Sequence, residues 1–243
     1  MIPEDHPRYE PLRRRELIAD GATAGLVAME GVAAHGRGET FDYLIGEVTI
    51  PSAALAEEMA AAVLCNAKRP VISVNGNTAA LAASAIGDLQ RASGAAVEVN
   101  LFHRTEKRMQ LITSRLEDAG VNVLSGTAER FIPLSHDRAL CLPDGIFAAD
   151  VVLVPLEDGD RCEALKKMGK TVITIDLNPL SRTSQTADVT IVDELTRALP
   201  QITEFCREGN RDRFTTLLRE YDNKEILRDA LITIKNVIDR ALD

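Results

Sequence analysis

The run Thr171-Val-Ile-Thr-Ile-Asp176-Leu177-Asn178-Pro179-Leu180-Ser181-Arg182-Thr183 passes from an apolar, β-branched stretch to a polar one in a single step. Val, Ile and Thr in succession read as a strand buried on both faces, and the polar residues with Pro179 end it. In an open parallel sheet, ligands bind beyond the carboxyl ends of the strands, so a polar cluster directly after such a strand marks a candidate site. Asp176, Asn178, Ser181 and Arg182 supply an acceptor, an amide, a hydroxyl and a guanidinium, a set suited to a ribose and a phosphate.

The same unit of strand, polar turn and helix recurs on both sides of this run. Val71–Val74 leads through Asn75-Gly76-Asn77-Thr78 into a helix over Ala79–Ala92, and Ala95–Phe102 leads through Arg104-Thr105-Glu106 into one that ends near Asp118. Val121–Leu124 reads as a further short strand, and the stretch holding Pro133, His136 and Pro143 as loop. Asp150–Pro155 is a near-continuous apolar strand, followed by Glu157-Asp158-Gly159-Asp160-Arg161 and a helix over Cys162–Met168; Val189–Val192 precedes a helix from about Asp193. This alternation predicts one Rossmann-like α/β domain over residues 1–243, an open parallel sheet of about five strands flanked by helices. Within it, 51–205 is the α/β core and opens on an Ala-rich helix over Ala53–Cys65. Residues 1–50 form an N-terminal extension, two helices over 8–34 parted at Gly21 and then His35-Gly36-Arg37-Gly38-Glu39 as a charged loop. Residues 206–243 form a C-terminal extension, two amphipathic helices with Phe214, Leu217 and Tyr221 and then Leu227, Leu231, Ile234 and Ile238 at steps of three and four.

Composition narrows the function classes. The 243 residues, 45% hydrophobic, can bury a large core. A net charge of −9 and a pI near 5.1 leave no basic footprint for nucleic acid or an anionic membrane surface, so small-molecule partners are expected. Tryptophan is absent and aromatics are 4%, which argues against a stacking platform for bases. The four cysteines, Cys65, Cys141, Cys162 and Cys206, lie too far apart for a C-x-x-C pair and imply neither zinc nor a disulfide framework. No run approaches the roughly 18 apolar residues of a membrane span, and the N-terminus has no apolar signal region, so a cytoplasmic protein is expected.

Four polar turns fall at strand ends: Asn75–Thr78, Asn100 with His103-Arg104, Glu157–Arg161 and Asp176–Thr183. Asn77 or Thr78 can cap the following helix, or the same free amides can hold a phosphate. Asp158 and Asp160 can hold Mg²⁺ through oxygen ligands, or simply favour a helix N-terminus. His35 and Arg37 sit beside two glycines, where a ligand can approach the backbone, and the guanidinium of Arg37 matches a phosphate or carboxylate bidentately. Arg104 and Arg161 are further cations for an anionic substrate. Neither G-x-G-x-x-G nor G-x-x-x-x-G-K-S/T occurs.

Longer motifs carry a resemblance. His35-Gly-Arg-Gly-Glu39 with Phe41-Asp-Tyr-Leu-Ile-Gly-Glu47, Ser73-Val-Asn-Gly-Asn77, Asn100-Leu-Phe102 with Arg104-Thr-Glu106, Val154-Pro-Leu-Glu-Asp-Gly-Asp-Arg161 and Thr174-Ile-Asp-Leu-Asn-Pro-Leu-Ser-Arg182 together resemble the archaeal 4-phosphopantoate–β-alanine ligases, also called phosphopantothenate synthetases. The resemblance runs from His6 to Asn223. It implies a homodimeric enzyme of archaeal coenzyme A biosynthesis with a Rossmann-like core. Such an enzyme uses ATP and Mg²⁺ to join 4-phosphopantoate to β-alanine through a phosphopantoyl adenylate, releasing AMP and diphosphate. It assigns ATP to Arg15, Arg37, Asp176, Leu177, Asn178, Arg182, Thr183, Glu194 and Leu195. Position 194 is Glu where the family carries Asn, a change that a backbone contact would survive. Arg37 and Arg182 are the candidates for stabilising charge in the reaction. The substrate then falls to His35, Asn75, Asn77, Asn100, Arg104 and Arg161, and the metal to Asp158 and Asp160. A Rossmann-like enzyme of another class, binding NAD or a different adenosine cofactor, is one rival, and a nucleotide-sensing module without turnover is another. The missing glycine fingerprint counts against the first, and the clustered arginines and acids count against the second.

Overall fold

A computed structural model describes residues 2–241; Met1 and the last two residues of the C-terminal segment lie outside the described residues. Helices α1 (Tyr9–Thr23), α2 (Met29–Ile45) and α3 (Pro51–Asn66) precede the first strand, β1 (Pro70–Val74). Then come α4 (Gly76–Ser93), β2 (Ala96–Val99), α5 (Glu106–Asp118) and a small antiparallel hairpin, β3 (Glu129–Arg130) with β4 (Leu140–Cys141). The second half of the core is β5 (Val151–Leu153), α6 (Gly159–Lys167), β6 (Thr171–Ile175), α7 (Arg182–Thr186), β7 (Val189–Ile191) and α8 (Leu195–Glu208). Helices α9 (Arg211–Glu220) and α10 (Asn223–Asp239) close the chain.

The main sheet has the order β2-β1-β5-β6-β7, every pairing parallel, as the strand–helix alternation predicts. Its register places Val71 between Ala96 and Val152, and Ile173 opposite Val189. Such strands are apolar throughout because helices cover both faces. On one face Ile72, Val74, Val97 and Leu153 pack with Ile86 and Leu89 of α4, Ala60 and Leu64 of α3 and Leu199 and Ile202 of α8. On the other, Val71, Val152 and Val172 pack with Cys162 and Leu165 of α6 and with Cys141 and Ile146. A smaller cluster, Ile45, Ile50, Leu177, Val192, Leu227 and Ala230, ties α2 and α10 to the end of β7.

The order reverses between β1 and β5: the chain moves outward from β1 to β2, then returns to β5 on the other side of β1 and continues to β7. Loops leaving β1 and β5 therefore diverge, and a crevice opens at the carboxyl edge there. Its turns are held by side chains read from the sequence. Asn75 caps α4 by accepting from Thr78 N at 3.0 Å, and its amide donates across the switch point to Pro155 O at 3.0 Å and Leu156 O at 3.2 Å. Leu156 has φ +54°, a costly conformation for a branched residue, of about 1–3 kcal/mol, that this clamp holds.

Four expectations are corrected. His35–Glu39 is not a loop: it lies inside α2, which runs unbroken to a left-handed Gly46 (φ +99°). Each glycine in a helix costs about 1 kcal/mol, and packing against α10, α1 and α4 outweighs that local preference. Gly21 lies within α1 rather than ending it; the break comes at residues 24–28, where Gly25 has φ +83°. Val121–Leu124 forms no strand of the sheet, only a bridge from Val123 to Val97, because the chain turns away at Gly126 (φ +149°). The stretch with Pro133, His136 and Pro143, read as loop, includes β4, a 3₁₀ turn at Asp137–Ala139 and a wide helical turn at Pro143–Phe147, held by buried Glu98, which accepts from Leu142 N just before it and from Ile146 N within it. No helix among the described residues is long and apolar enough to cross a membrane.

Candidate active site

Two cavities flank the switch point and share the wall made by Ala34, Asn77, Leu156 and Asp158. The first, of about 400 Å³, lies over the carboxyl ends of β5, β6 and β7 under α1 and α2. The second, of about 300 Å³, lies over the ends of β1 and β2. Because α2 is helical, His35, Gly38, Glu39 and Asp42, at steps of three and four, all reach the first cavity. Glycine is required near the shared wall: a Cβ on Gly31 would lie 2.3 Å from Asn77 Oδ1, so α2 can approach α4 only as it does, with Asn77 Nδ2 donating to Gly31 O at 2.8 Å.

The opening run of the sequence supplies one wall of the first cavity. Asp176 accepts from Asn178 N at 2.9 Å and from Ser181 Oγ at 2.5 Å. Burial pushes its carboxyl up, while those hydrogen bonds and Arg37 pull the other way. Asn178 Oδ1 accepts from Leu180 N, so its amide is left for the cavity it lines. Arg182 opens α7 over Gly159, where a Cβ would meet its side chain at 2.5 Å; its guanidinium, 60% exposed, touches Glu163 at 3.3 Å. Thr183 donates to Glu157 O at 2.8 Å, and Leu195 is buried in the wall. Glu194 spends its side chain internally, accepting from Thr196 N at 2.6 Å and pairing with Arg14 at 3.3 Å. Arg37 is exposed on the same rim. His35 faces the cavity with Nε2 buried and without a partner among the described residues, and burial, then Arg14 and Arg15, lower its pKa against the pull of Glu39.

Asp158 is the ionisable group common to both cavities. Burial and the neighbouring Glu157 and Asp160 raise its pKa, opposed by Arg138, whose Nη2 is 3.7 Å away. Asp160 points elsewhere: His136 Nε2 sits 2.9 Å from it and Arg161 N donates to it at 2.8 Å. Although its burial resists ionisation, these bonds hold it below the usual carboxylate range. No cluster of three His, Cys, Asp or Glu side chains suited to a metal occurs among the described residues. One carboxylate facing the cavity suffices for Mg²⁺ held mainly by water and phosphate oxygens, so Asp158 fits the ion and Asp160 does not reach it.

Several predicted residues stand outside the cavities. Arg15 lies at the surface on Glu39, at 2.7 Å, whereas Arg14 lines the first cavity. The sequence held the signal: Pro11, Arg14, Ile18 and Gly21 form the buried stripe of α1. Asn100 is fully buried, its amide on Leu140 O at 2.9 Å. Arg161 is fully buried too, with its guanidinium on Glu157 and on Ser73 Oγ at 3.0 Å. Arg104 lines neither cavity, and its Nη1 is buried without a partner among the described residues. In the second cavity, Asn75, Asn77 and His103, all from turns the sequence marked, stand with Phe102, Arg108 and Arg138, to which it gave no site role. Arg108 ties the loop after β2 to the turn between α1 and α2 by donating to His103 O at 2.7 Å and Leu26 O at 3.0 Å. Helical periodicity could not find these, because they come from the loop after β2, the first turn of α5 and the 3₁₀ turn at Asp137–Ala139.

Residues 52–237 match the family described as phosphopantothenate/pantothenate synthetase. Three similar curated proteins are each named 4-phosphopantoate–β-alanine ligase. The one from Methanospirillum hungatei is 57% identical over 243 residues, all of both chains. That from Methanosarcina mazei is 53% identical over 96% of this chain and 94% of its own, and that from Thermococcus onnurineus 49% over 97% and 92%. With that agreement along almost its whole length, the chain belongs to the phosphopantothenate/pantothenate synthetase family.

Proposed function

We propose that this chain joins 4-phosphopantoate to β-alanine, and that ATP drives the condensation through a phosphopantoyl adenylate. The observation that carries the proposal is the pair of cavities at the switch point, joined along Asn77 and Asp158. A nucleotide-driven condensation needs two pockets whose contents meet, and a bound geometry that brings reacting atoms together supplies much of the acceleration. ATP occupies the first cavity, with Asp176 and Asn178 at the nucleoside, Leu177, Thr183, Glu194 and Leu195 as walls, and Arg37 and Arg182 at the phosphates. Arg15 serves from the rim through Glu39. Asp158 holds Mg²⁺, which offsets phosphate charge when bound. Phosphopantoate occupies the second cavity, its phosphate toward the α4 N-terminus at Gly76 and Asn77 and its carboxylate toward the shared wall and His35. Asn100, Arg104 and Arg161 act beneath that surface.

In the first step a carboxylate oxygen attacks the α-phosphorus and the bond to diphosphate breaks. Both partners are anions, so Arg37 and Arg182 lower the repulsion and stabilise charge as it builds. In the second step the neutral amine of β-alanine attacks the acyl carbon, the carbon–oxygen bond breaks, and AMP leaves with the former carboxylate oxygen while the amine gives up a proton. No covalent nucleophile is needed. The chain works as a homodimer, for which Leu231 and Ile238, exposed two turns apart on one side of α10, offer apolar contacts.

The test is to incubate the protein with ATP, Mg²⁺ and 4-phosphopantoate, with and without β-alanine, and to quantify AMP and 4-phosphopantothenate. Equal amounts of both, formed only with β-alanine present, are expected. Nucleotide that binds and is never consumed, or AMP release indifferent to β-alanine, overturns the proposal.

A further inference from the structure

Glu57, in the middle of α3, is wholly buried, and neither carboxyl oxygen has a hydrogen-bond donor among the described residues. The charged groups that face it are Asp193, in the β7–α8 turn, and Arg197 of α8. The residues of α9 and α10 buried near α3, Phe214, Leu217, Leu227 and Ala230, are apolar, and Arg213 of α9 is taken by Glu58 at 2.9 Å.

Asp193 is 1% exposed and is already the hub of a chain. It accepts from Thr49 Oγ1 at 2.5 Å, from Glu194 N at 2.7 Å and from Arg197 Nε at 2.9 Å. Arg197 forks onto Asp42 at 2.5 and 3.2 Å, Asp42 meets Arg14 at 3.4 Å, and Arg14 meets Glu194 at 3.3 Å. Arg14, Asp42 and Glu194 form part of the wall of the first cavity. Four acids thus share two guanidiniums, and Arg197 is engaged by Asp42 and Asp193 together. An ionised Glu57 would stand against Asp193 with no cation of its own and in a dry site, an arrangement that costs far more than a neutral acid does.

We propose that Glu57 is a positioning residue: a neutral carboxylic acid that donates its proton to Asp193 and so fixes the chain Asp193–Arg197–Asp42–Arg14–Glu194 behind the nucleotide cavity. Consistent with that geometry, burial first, and then the charge of Asp193, push the Glu57 carboxyl up to about 9. Loss of that proton sets two carboxylates against each other and pulls Arg197 from Asp42, so the cavity wall loses its register. The positioning role rests on the function proposed above; the protonation state does not.

Two measurements on the full chain test it. Infrared difference spectra of the wild type against Glu57→Gln at neutral pH show the carbonyl stretch of a protonated carboxyl, which disappears with a midpoint of about 9. Rates of 4-phosphopantothenate formation from pH 7 to 10 then compare the two proteins. Gln keeps the shape and the donor of a neutral acid, so it retains the rate near pH 7. The wild-type rate relative to Gln falls about tenfold by pH 10, where about a tenth of Glu57 is still protonated. Absence of the protonated band at neutral pH, or a flat ratio up to pH 10, overturns the proposal. If neither protein turns over these substrates, the proposed function is what has failed, and the infrared titration alone decides the state of Glu57.

Discussion

Neutralising Glu157 by Glu157→Gln should unfold this protein more readily than any other single isosteric change at the site. The Glu157 side chain is 1% exposed and serves two buried arginines. Arg161 Nη1 donates to one oxygen, Arg138 approaches both at 3.3 Å, and Asp158 N donates at 2.9 Å. Removing one member of a buried pair costs about 3–5 kcal/mol, because the partner stays behind uncompensated. For a chain of this size each kcal/mol moves the melting temperature by about 2–4 °C, so a fall of roughly 6–20 °C is expected. The double variant Glu157→Gln, Arg161→Met removes one orphaned charge and should recover part of that loss, since an apolar replacement of a buried pair is often neutral. Urea unfolding and calorimetry on the wild type, the single variant and the double variant read both numbers. A single variant within about 1 kcal/mol of wild type, or a double variant no more stable than the single, refutes the reasoning. The same double variant asks whether Arg161 is only a strut: a KM for 4-phosphopantoate raised more than about tenfold in folded protein, about 1.4 kcal/mol, would return Arg161 to the substrate.

Other outcomes follow from the same geometry. The folded state holds the Glu57 proton up to about 9 whereas the unfolded chain releases it near 4.5, so stability falls as pH rises between those values. Glu57→Gln should lack that fall, so urea unfolding at pH 6 and pH 8 should show Gln gaining on wild type, by about 1 kcal/mol per pH unit. Arg182→Ala should lower turnover by about a hundredfold or more while leaving stability within about 0.5 kcal/mol, because its exposed contact with Glu163 contributes little to folding. Equal losses in kinetics and thermal melting would make Arg182 structural. Gly31→Ala forces a methyl to within 2.3 Å of Asn77 Oδ1 and should cost about 1–3 kcal/mol by calorimetry, with a parallel loss of ligation. Chelation with EDTA should stop ligation and added Mg²⁺ restore it, and Asp158→Asn should raise the Mg²⁺ concentration giving half-maximal rate.

How much of this was legible in the sequence depends on where the deciding information sits. The run from Thr171 to Thr183 carries its own pattern, apolar strand and then polar turn, and the structure forms β6 and the wall around Asp176 from it. The α2 glycines misled because local propensity disfavours a helix at His35–Glu39, and contacts with α1, α4 and α10 make one. Arg15 and Arg14 are neighbours in the chain but a third of a turn apart on the helix, so the stripe Pro11, Arg14, Ile18, Gly21 decides which faces inward. Asp160 and Arg161 read as site residues from their place after β5, yet His136 and Ser73, far away in sequence, claim their side chains. Long-range pairings of that kind leave no periodic trace. The second cavity is legible least of all, since Phe102, His103, Arg108 and Arg138 meet only through the turn of the chain at the sheet edge.

The claim that two substrates meet as an adenylate at the wall shared by Asn77 and Asp158 is open to one isotope experiment. 4-Phosphopantoate carrying oxygen-18 in both carboxylate oxygens is turned over with ATP, Mg²⁺ and β-alanine, and the AMP is weighed by mass spectrometry. One labelled oxygen in each AMP, with unlabelled diphosphate, is the predicted result. Unlabelled AMP, or label recovered in inorganic phosphate with ADP as the nucleotide product, would contradict it.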